Sequence, residues 1–209
     1  MLQRTSINSI NKILKENPNW KVLDIGCGYT ANENATVVSD VQDLSNFYKN
    51  KKFVKITEKK LPFKDNEFDF VITSHVIEHV DDFQFFISEI ERISNKGYIE
   101  LPTKLGDNLV FENSNDHHWM FEYDDNSNIL LASKKQEFIE PFVSVSTAKK
   151  LEKIFRQSLI LEIIWSDKID YKILSNEVDR KLKRINFLTL IKKYLGKKFR
   201  QLIKSIKIK

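Results

Sequence analysis

The chain has 209 residues, 41% of them hydrophobic, which is enough for one buried core and too apolar for a disordered chain. Its single cysteine, Cys27, excludes an internal disulfide framework, and no window approaches the roughly 20 apolar residues that span a bilayer. The net charge of +5 conceals an asymmetry: residues 176–209 hold twelve Lys or Arg against two acids, net +10, while the rest holds 22 against 27, net −5.

The opening MLQRTSINSINKILKENPNW has no apolar run of signal-peptide length, so the expected location is the cytoplasm, or the inner face of a membrane. Ile7, Ile10, Ile13 and Leu14 recur at helical spacing and predict a helix over 6–16, ended by Asn17-Pro18. A buried strand follows over 20–25. It carries one acid, Asp24, and runs straight into Gly26 and Gly28 in VLDIGCG. An acid in a buried strand is costly unless something polar meets it. The glycines remove side chains that would hold a ligand off the backbone. Together they describe a pocket for a nucleotide-like molecule with a cationic or hydroxyl-rich part.

Residues 36–39 form the second strand, closed by Asp40. Only 26–35 connect the two strands, so any helix there is about one turn long and the site is open on that side. A third strand is predicted over 53–56, then a turn at LPF (61–63) and a polar loop at 64–68. The run 69–73 is a strand with Ser74 and His75 at its carboxyl end. A helix begins at Asp81 or Asp82, with Phe83, Phe86, Ile87, Ile90 and Ile93 on one face; Gly97 is expected to break it. The next strand, 98–101, stops at Pro102. This alternation predicts an α/β fold: a doubly wound, mostly parallel sheet with helices on both faces.

Beyond 103 the pattern weakens to an insertion or short hairpin region, with a strand over 129–132. A helix over 145–157, capped by Ser146 or Thr147, and a strong strand over 159–165 follow. The expected division is a domain over 1–175 and a basic tail over 176–209. In the tail Ile185, Leu188, Ile191, Leu195, Phe199, Leu202 and Ile206 step by three or four. Lys192, Lys193, Lys197, Lys198, Arg200, Lys204 and Lys207 fall between them. That is a basic amphipathic helix, weakened by Gly196. An anionic membrane surface and packing within an oligomer or against the domain are its two main readings. Nucleic acid is disfavoured by the few aromatic residues there.

Four segments, VLDIGCG (22–28), VVSD (37–40), LPFKDNEFDFVITSHVIEHVDD (61–82) and GYIELPT (97–103), resemble the class I S-adenosylmethionine-dependent methyltransferases. Within these the chain is most similar to the small bacterial type described as methyltransferase type 11. The resemblance covers roughly the first half of the chain and implies a Rossmann-like fold with S-adenosylmethionine as cofactor. The short crossover and DHHWMF (116–121) are similar to members that act on sugars or glycolipids, implying a small-molecule, sugar or lipid-linked glycan acceptor. Carried over by position, Gly26 and Gly28 would admit the methionine end of the cofactor, and Asp24 would face its ammonium group. Asp40 would accept from the ribose hydroxyls. Relatives place an Asp four residues before LPF for the adenine amino group; this chain has Thr57 there, followed by Glu58. Ser74 and His75 fall where relatives line the cleft.

Other readings stand beside this one. GCGYTA also satisfies the dinucleotide pattern G-x-G-x-x-[GA], although Asp24 occupies a place where that pattern wants an apolar residue. Thr57 and the short crossover motivate a non-catalytic cofactor-binding or scaffold module. Asp40 has a second reading as a helix N-cap. Glu78 and His79 read as a helix-start network. His117 and His118 are adjacent and point apart in an extended chain, so no metal site is expected. His75 and His117 are the candidates for a base that removes a proton from an acceptor hydroxyl. Cys27 reads as a small filler in the glycine loop.

Overall fold

The computed structural model describes residues 1–175, 184 and 186–206. A short strand, β1 (Leu2–Arg4), precedes helix α1 (Ile7–Glu16), whose N-terminus is capped by the Ser6 side chain accepting from Ser9 N. Strands β2 (Val22–Ile25), β3 (Val37–Asp40), β4 (Lys52–Lys55) and β5 (Phe70–Ser74) follow. A 3-10 turn (Ile77–His79) leads to α2 (Phe83–Ile93) and β6 (Lys96–Pro102). The second half contributes short helices α3 (Lys104–Leu109) and α4 (Asn113–Asp116) and the hairpin β7 (Trp119–Asp124) and β8 (Ile129–Lys134). Then come α5 (Val145–Leu159), β9 (Ile160–Ser166), β10 (Tyr171–Ile173) and α6 (Phe187–Ile206).

The main sheet has seven strands in the order β1-β9-β6-β5-β2-β3-β4. The pairs among β2, β3, β4, β5 and β6 are all parallel; β9 pairs antiparallel with β6, and β1 antiparallel with β9. The sheet is thus largely parallel. β7, β8 and β10 form a separate small sheet. Alternation along the strands divides the core. Leu23, Ile25, Val71, Ile99 and Leu101 pack with Phe83, Ile87, Ile90 and Ile93 of α2. Val22, Val38, Phe70, Ile72 and Tyr98 pack with Ile10 and Leu14 of α1. The period of two in the strands and of 3.6 in the helices puts one helix on each face.

Two sequence expectations shift, and the first crossover is as spare as expected. Asp82 caps α2 as expected, but the helix ends at Ile93 with Ser94 as C-cap, and Gly97 lies inside β6 rather than terminating the helix. A Cβ on Gly97 would stand 2.3 Å from Val71 O and 2.7 Å from Trp165 Nε1, so close strand packing requires this glycine. The cap of α5 is Ser144, ahead of Ser146 and Thr147. The first crossover contains turns only, with no helix between Ile25 and Val37.

The basic tail is helical over Phe187–Ile206, with Leu188, Tyr194, Leu195 and Phe199 exposed. Residues 176–183, 185 and 207–209, among them Ile185 and Lys207, lie outside the described residues, as do the side chains of Leu202, Lys204 and Ile206. No described helix is long and apolar enough to cross a membrane.

Candidate active site

A cavity of about 960 Å³ opens at the carboxyl ends of β2, β5 and β6, the edge where open parallel sheets bind ligands. Its floor is the loop after β2. Gly26 and Gly28 both adopt positive φ, +65° and +47°. A Cβ on Gly26 would lie 2.4 Å from Val76 Cγ2, whereas one on Gly28 would meet open space. Backbone N–H groups of Gly26 and Cys27 donate to Ser39 O, and Tyr48 OH donates to Gly28 O at 2.7 Å. The loop is therefore braced: Val76 covers Gly26, so close packing and not ligand approach requires that glycine, while the space over Gly28 stays bare. Cys27 is buried there, and burial pushes its thiol up to about 11, consistent with a filler rather than a nucleophile.

Asp24, 4% exposed, lines this cavity. Asn32 N donates to its Oδ2 at 2.7 Å, which leaves Oδ1 for a ligand. Burial pushes the carboxyl up to about 7; the Asn32 hydrogen bond and Lys51 pull it down, and the nearby acids Glu100 and Asp40 add to the rise. An acid so reluctant to ionise alone is one that a cation stabilises strongly. Asp40 takes up Gly28 N on Oδ2 and Gln42 N on Oδ1, both at 2.9 Å. It ties the glycine loop to the end of β3 and starts no helix. Ser74 lines the cavity, whereas Asp40, Thr57 and Glu58 are not among its lining residues. Thr57 and Glu58 are exposed just beyond β4, the strand next to Asp40.

His75 does not stand as a base. Its backbone is left-handed (φ +55°), and the ring sits with Nδ1 3.1 Å from Glu78 Oε1 and Nε2 3.4 Å from Glu100 Oε1. Burial would lower it, but the hydrogen bonds to Glu100 and Glu78 prevail and push it up to about 10. Both ring nitrogens are taken up by carboxylates, so neither offers a free lone pair to an acceptor hydroxyl.

Beneath it lies an acidic pair that sequence reading missed. Glu100 on β6 and Glu162 on β9 are directly opposed in the antiparallel register. Like charges so placed repel. Arg156 NH2 donates to Glu100 Oε2 at 2.6 Å and to Glu162 Oε1 at 3.1 Å, and Tyr98 OH bonds both carboxylates. The signal was legible in principle: GYIELP and LILEIIW each carry one acid inside an apolar run, as VLDI does. The registers place Asp24, Glu100 and Glu162 on one face of the sheet.

The far wall holds His79 and His117. His117 is buried, and its Nδ1 donates to Asp107 Oδ1 at 2.6 Å; Lys135 holds the other Asp107 oxygen. His118 points away to Asp81. Glu78 lies in the first turn of the 3-10 helix before α2, as a helix-start reading has it, but is 0% exposed.

Residues 23–99 match the model of a family described as a methyltransferase domain. An uncharacterised protein of Methanocaldococcus jannaschii is 37% identical over 120 residues, 49% of this chain and 50% of its own length. The chain thus spans about half the length of the curated relative it matches. Among solved structures, a Pyrococcus horikoshii protein aligns with a TM-score of 0.46 at 16% identity, over 78% of this chain and 89% of its own. A SAM-dependent methyltransferase from Aquifex aeolicus aligns at 0.40 and 15%, over 74% and 88%.

Proposed function

We propose that the protein is an S-adenosylmethionine-dependent methyltransferase acting on a hydroxyl of a small-molecule, sugar or lipid-linked glycan acceptor. The observation that carries this reading is Asp24: a buried acid, poised near neutrality, beside a bare backbone loop at the carboxyl edge of a parallel sheet. The match of residues 23–99 to a methyltransferase-domain family supports it. The cofactor supplies a methyl group on a cationic sulfur, which needs no activation by the protein. Asp24 holds the ammonium end, and Gly28 lets it approach the loop. Asp40 retains lone pairs beyond its two N–H bonds for ribose hydroxyls. Thr57 and Glu58 lie one strand further along the same edge, toward the base. What remains is to hold the acceptor in line, an orientation effect. The wall with His79 and His117 is the acceptor side, and His117, backed by Asp107, is the residue that activates the acceptor.

Purified protein is expected to convert S-adenosylmethionine to S-adenosylhomocysteine with at least one class in a panel of sugar nucleotides and lipid-linked glycans. Binding of S-adenosylhomocysteine without any turnover would assign a non-catalytic module instead; no binding would reject the reading. The exposed apolar stripe of α6 with its interleaved lysines supports attachment to an anionic membrane from the cytoplasmic side, each basic residue near the surface adding about 1 kcal/mol. Deleting 180–209 should abolish co-sedimentation with vesicles of phosphatidylglycerol; unchanged sedimentation rejects that role.

A further inference from the structure

Glu78 is a buried carboxylate with half of its capacity unused. His75 Nδ1 meets Oε1, but Oε2 is buried and has no hydrogen-bond partner among the described residues. Buried anionic oxygens are ordinarily paired or bound to metal. Two imidazoles stand beside it. One ligand atom each from Glu78, His79 and His117 lie within 4.8 Å of one another, and the two rings meet edge to face with centroids 4.6 Å apart.

The hydrogen bonds around the two rings are those a metal ligand requires. His79 Nδ1 donates to Asp116 O at 2.8 Å, which fixes the proton on Nδ1 and leaves Nε2. His117 Nδ1 donates to Asp107, which is itself anchored by Lys135, and again Nε2 remains. A carboxylate or carbonyl behind each ring is the usual second layer of a metal centre. The two segments are also stitched together: His118 N donates to Glu78 O at 2.7 Å, and Trp119 Nε1 to Val80 O at 3.0 Å. The sequence argument against a metal rested on His117 and His118 serving one ion. The fold sends His118 outward and brings His79 to His117 instead.

We infer that Glu78, His79 and His117 form a binding site for a divalent first-row transition metal, zinc foremost, with an open position toward the cavity. Two imidazoles and one carboxylate suit such ions, whereas magnesium and calcium favour all-oxygen sites. Ligands about 2.1 Å from a tetrahedral ion stand roughly 3.4 Å apart, so closure from 4.8 Å needs side-chain adjustments of about an ångström. His79 is exposed and gives the ion its way in. Resting on the methyl-transfer reading, the site also specifies how His117 acts. It would help to hold an ion whose Lewis acidity would favour loss of the proton from an acceptor hydroxyl placed at the open position.

The test is the zinc content of the full chain, without a polyhistidine tag, after dialysis against zinc and gel filtration. One equivalent is expected. His79→Ala, a change at an exposed residue, should reduce affinity at least 100-fold, as should Glu78→Gln. Asp107→Asn should reduce it 10- to 100-fold. His118→Ala should retain the wild-type value. With cobalt(II), the wild type should show visible d–d absorption that His79→Ala lacks. No stoichiometric metal in the wild type, or full binding by His79→Ala, overturns the site. Metal binding without methyl transfer leaves the site standing and removes only the reading above it.

Discussion

Replacing Asp24 by Asn is expected to raise the dissociation constant for S-adenosylhomocysteine about 100-fold, the usual scale for losing one partner of a buried charge pair. Calorimetry measures it. The side-chain carbonyl of Asn can still accept the Asn32 N–H, so the fold should survive. Thermal stability at pH 8 should rise, because an ionised carboxylate is no longer buried there. The pH dependence has a definite sign. The Asp24 carboxyl is raised from 3.8 to about 7 by burial, so between those values the folded state holds a proton that the unfolded state has lost. Stability from this group therefore declines as pH rises from about 4 to about 7. Ligand affinity runs the other way, since the ammonium group prefers the carboxylate. Between pH 5.5 and 7 affinity should increase up to about tenfold per unit, then level off. Asp24→Asn should flatten that profile; an unchanged profile would remove Asp24 from the site.

Arg156→Met should unfold the protein at markedly lower denaturant. Removing one partner from a buried ion-pair network costs about 3–5 kcal/mol, and the low end applies here because Arg156 is 35% exposed. The loss would leave Glu100 and Glu162 opposed across β6 and β9 with only Tyr98 and His75 to separate them. Burial alone would raise Glu100, but the hydrogen bonds from His75 and Tyr98 and the charge of Arg156 hold it below 4.5. A depressed carboxylate contributes stability above its unfolded pKa and loses it as pH falls through its folded one. The difference between wild type and Arg156→Met should therefore be largest near neutrality and shrink below about pH 4.5. Urea melts at pH 7 and pH 4 would show it. A gap independent of pH would mean that Arg156 acts through packing of its stem.

Much of this architecture is readable from local pattern. VLDI, FVITS and LILEIIW are apolar runs that suit strands buried on both faces, and the Asp82 cap with its five-residue apolar face is enough to place α2. What escapes are elements made by tertiary context. β1 is three residues long and exists because β9 offers an antiparallel edge. α3 contains Gly106, Asp107 and Asn108, all buried, and looks like a loop until Leu159 O is seen where a Cβ on Gly106 would be. In the site, Asp24 and the glycines announce themselves because an acid beside two glycines is locally odd. Glu78 does not: beside its local neighbours His75 and His79, the third imidazole, His117, is distant in sequence, and only the fold delivers it.

The bare first crossover bears on which ligands the pocket refuses. In dinucleotide enzymes a helix begins right behind the glycines, and its dipole seats the pyrophosphate. Here turns lead from Ile25 to Val37, and the carboxylates of Asp24 and Asp40 flank the loop. A doubly negative bridge would meet repulsion with no compensating dipole. The same loop that resembles a nicotinamide fingerprint in its letters is thus electrostatically selective for the opposite sign, a filter against the cell's abundant anionic nucleotides.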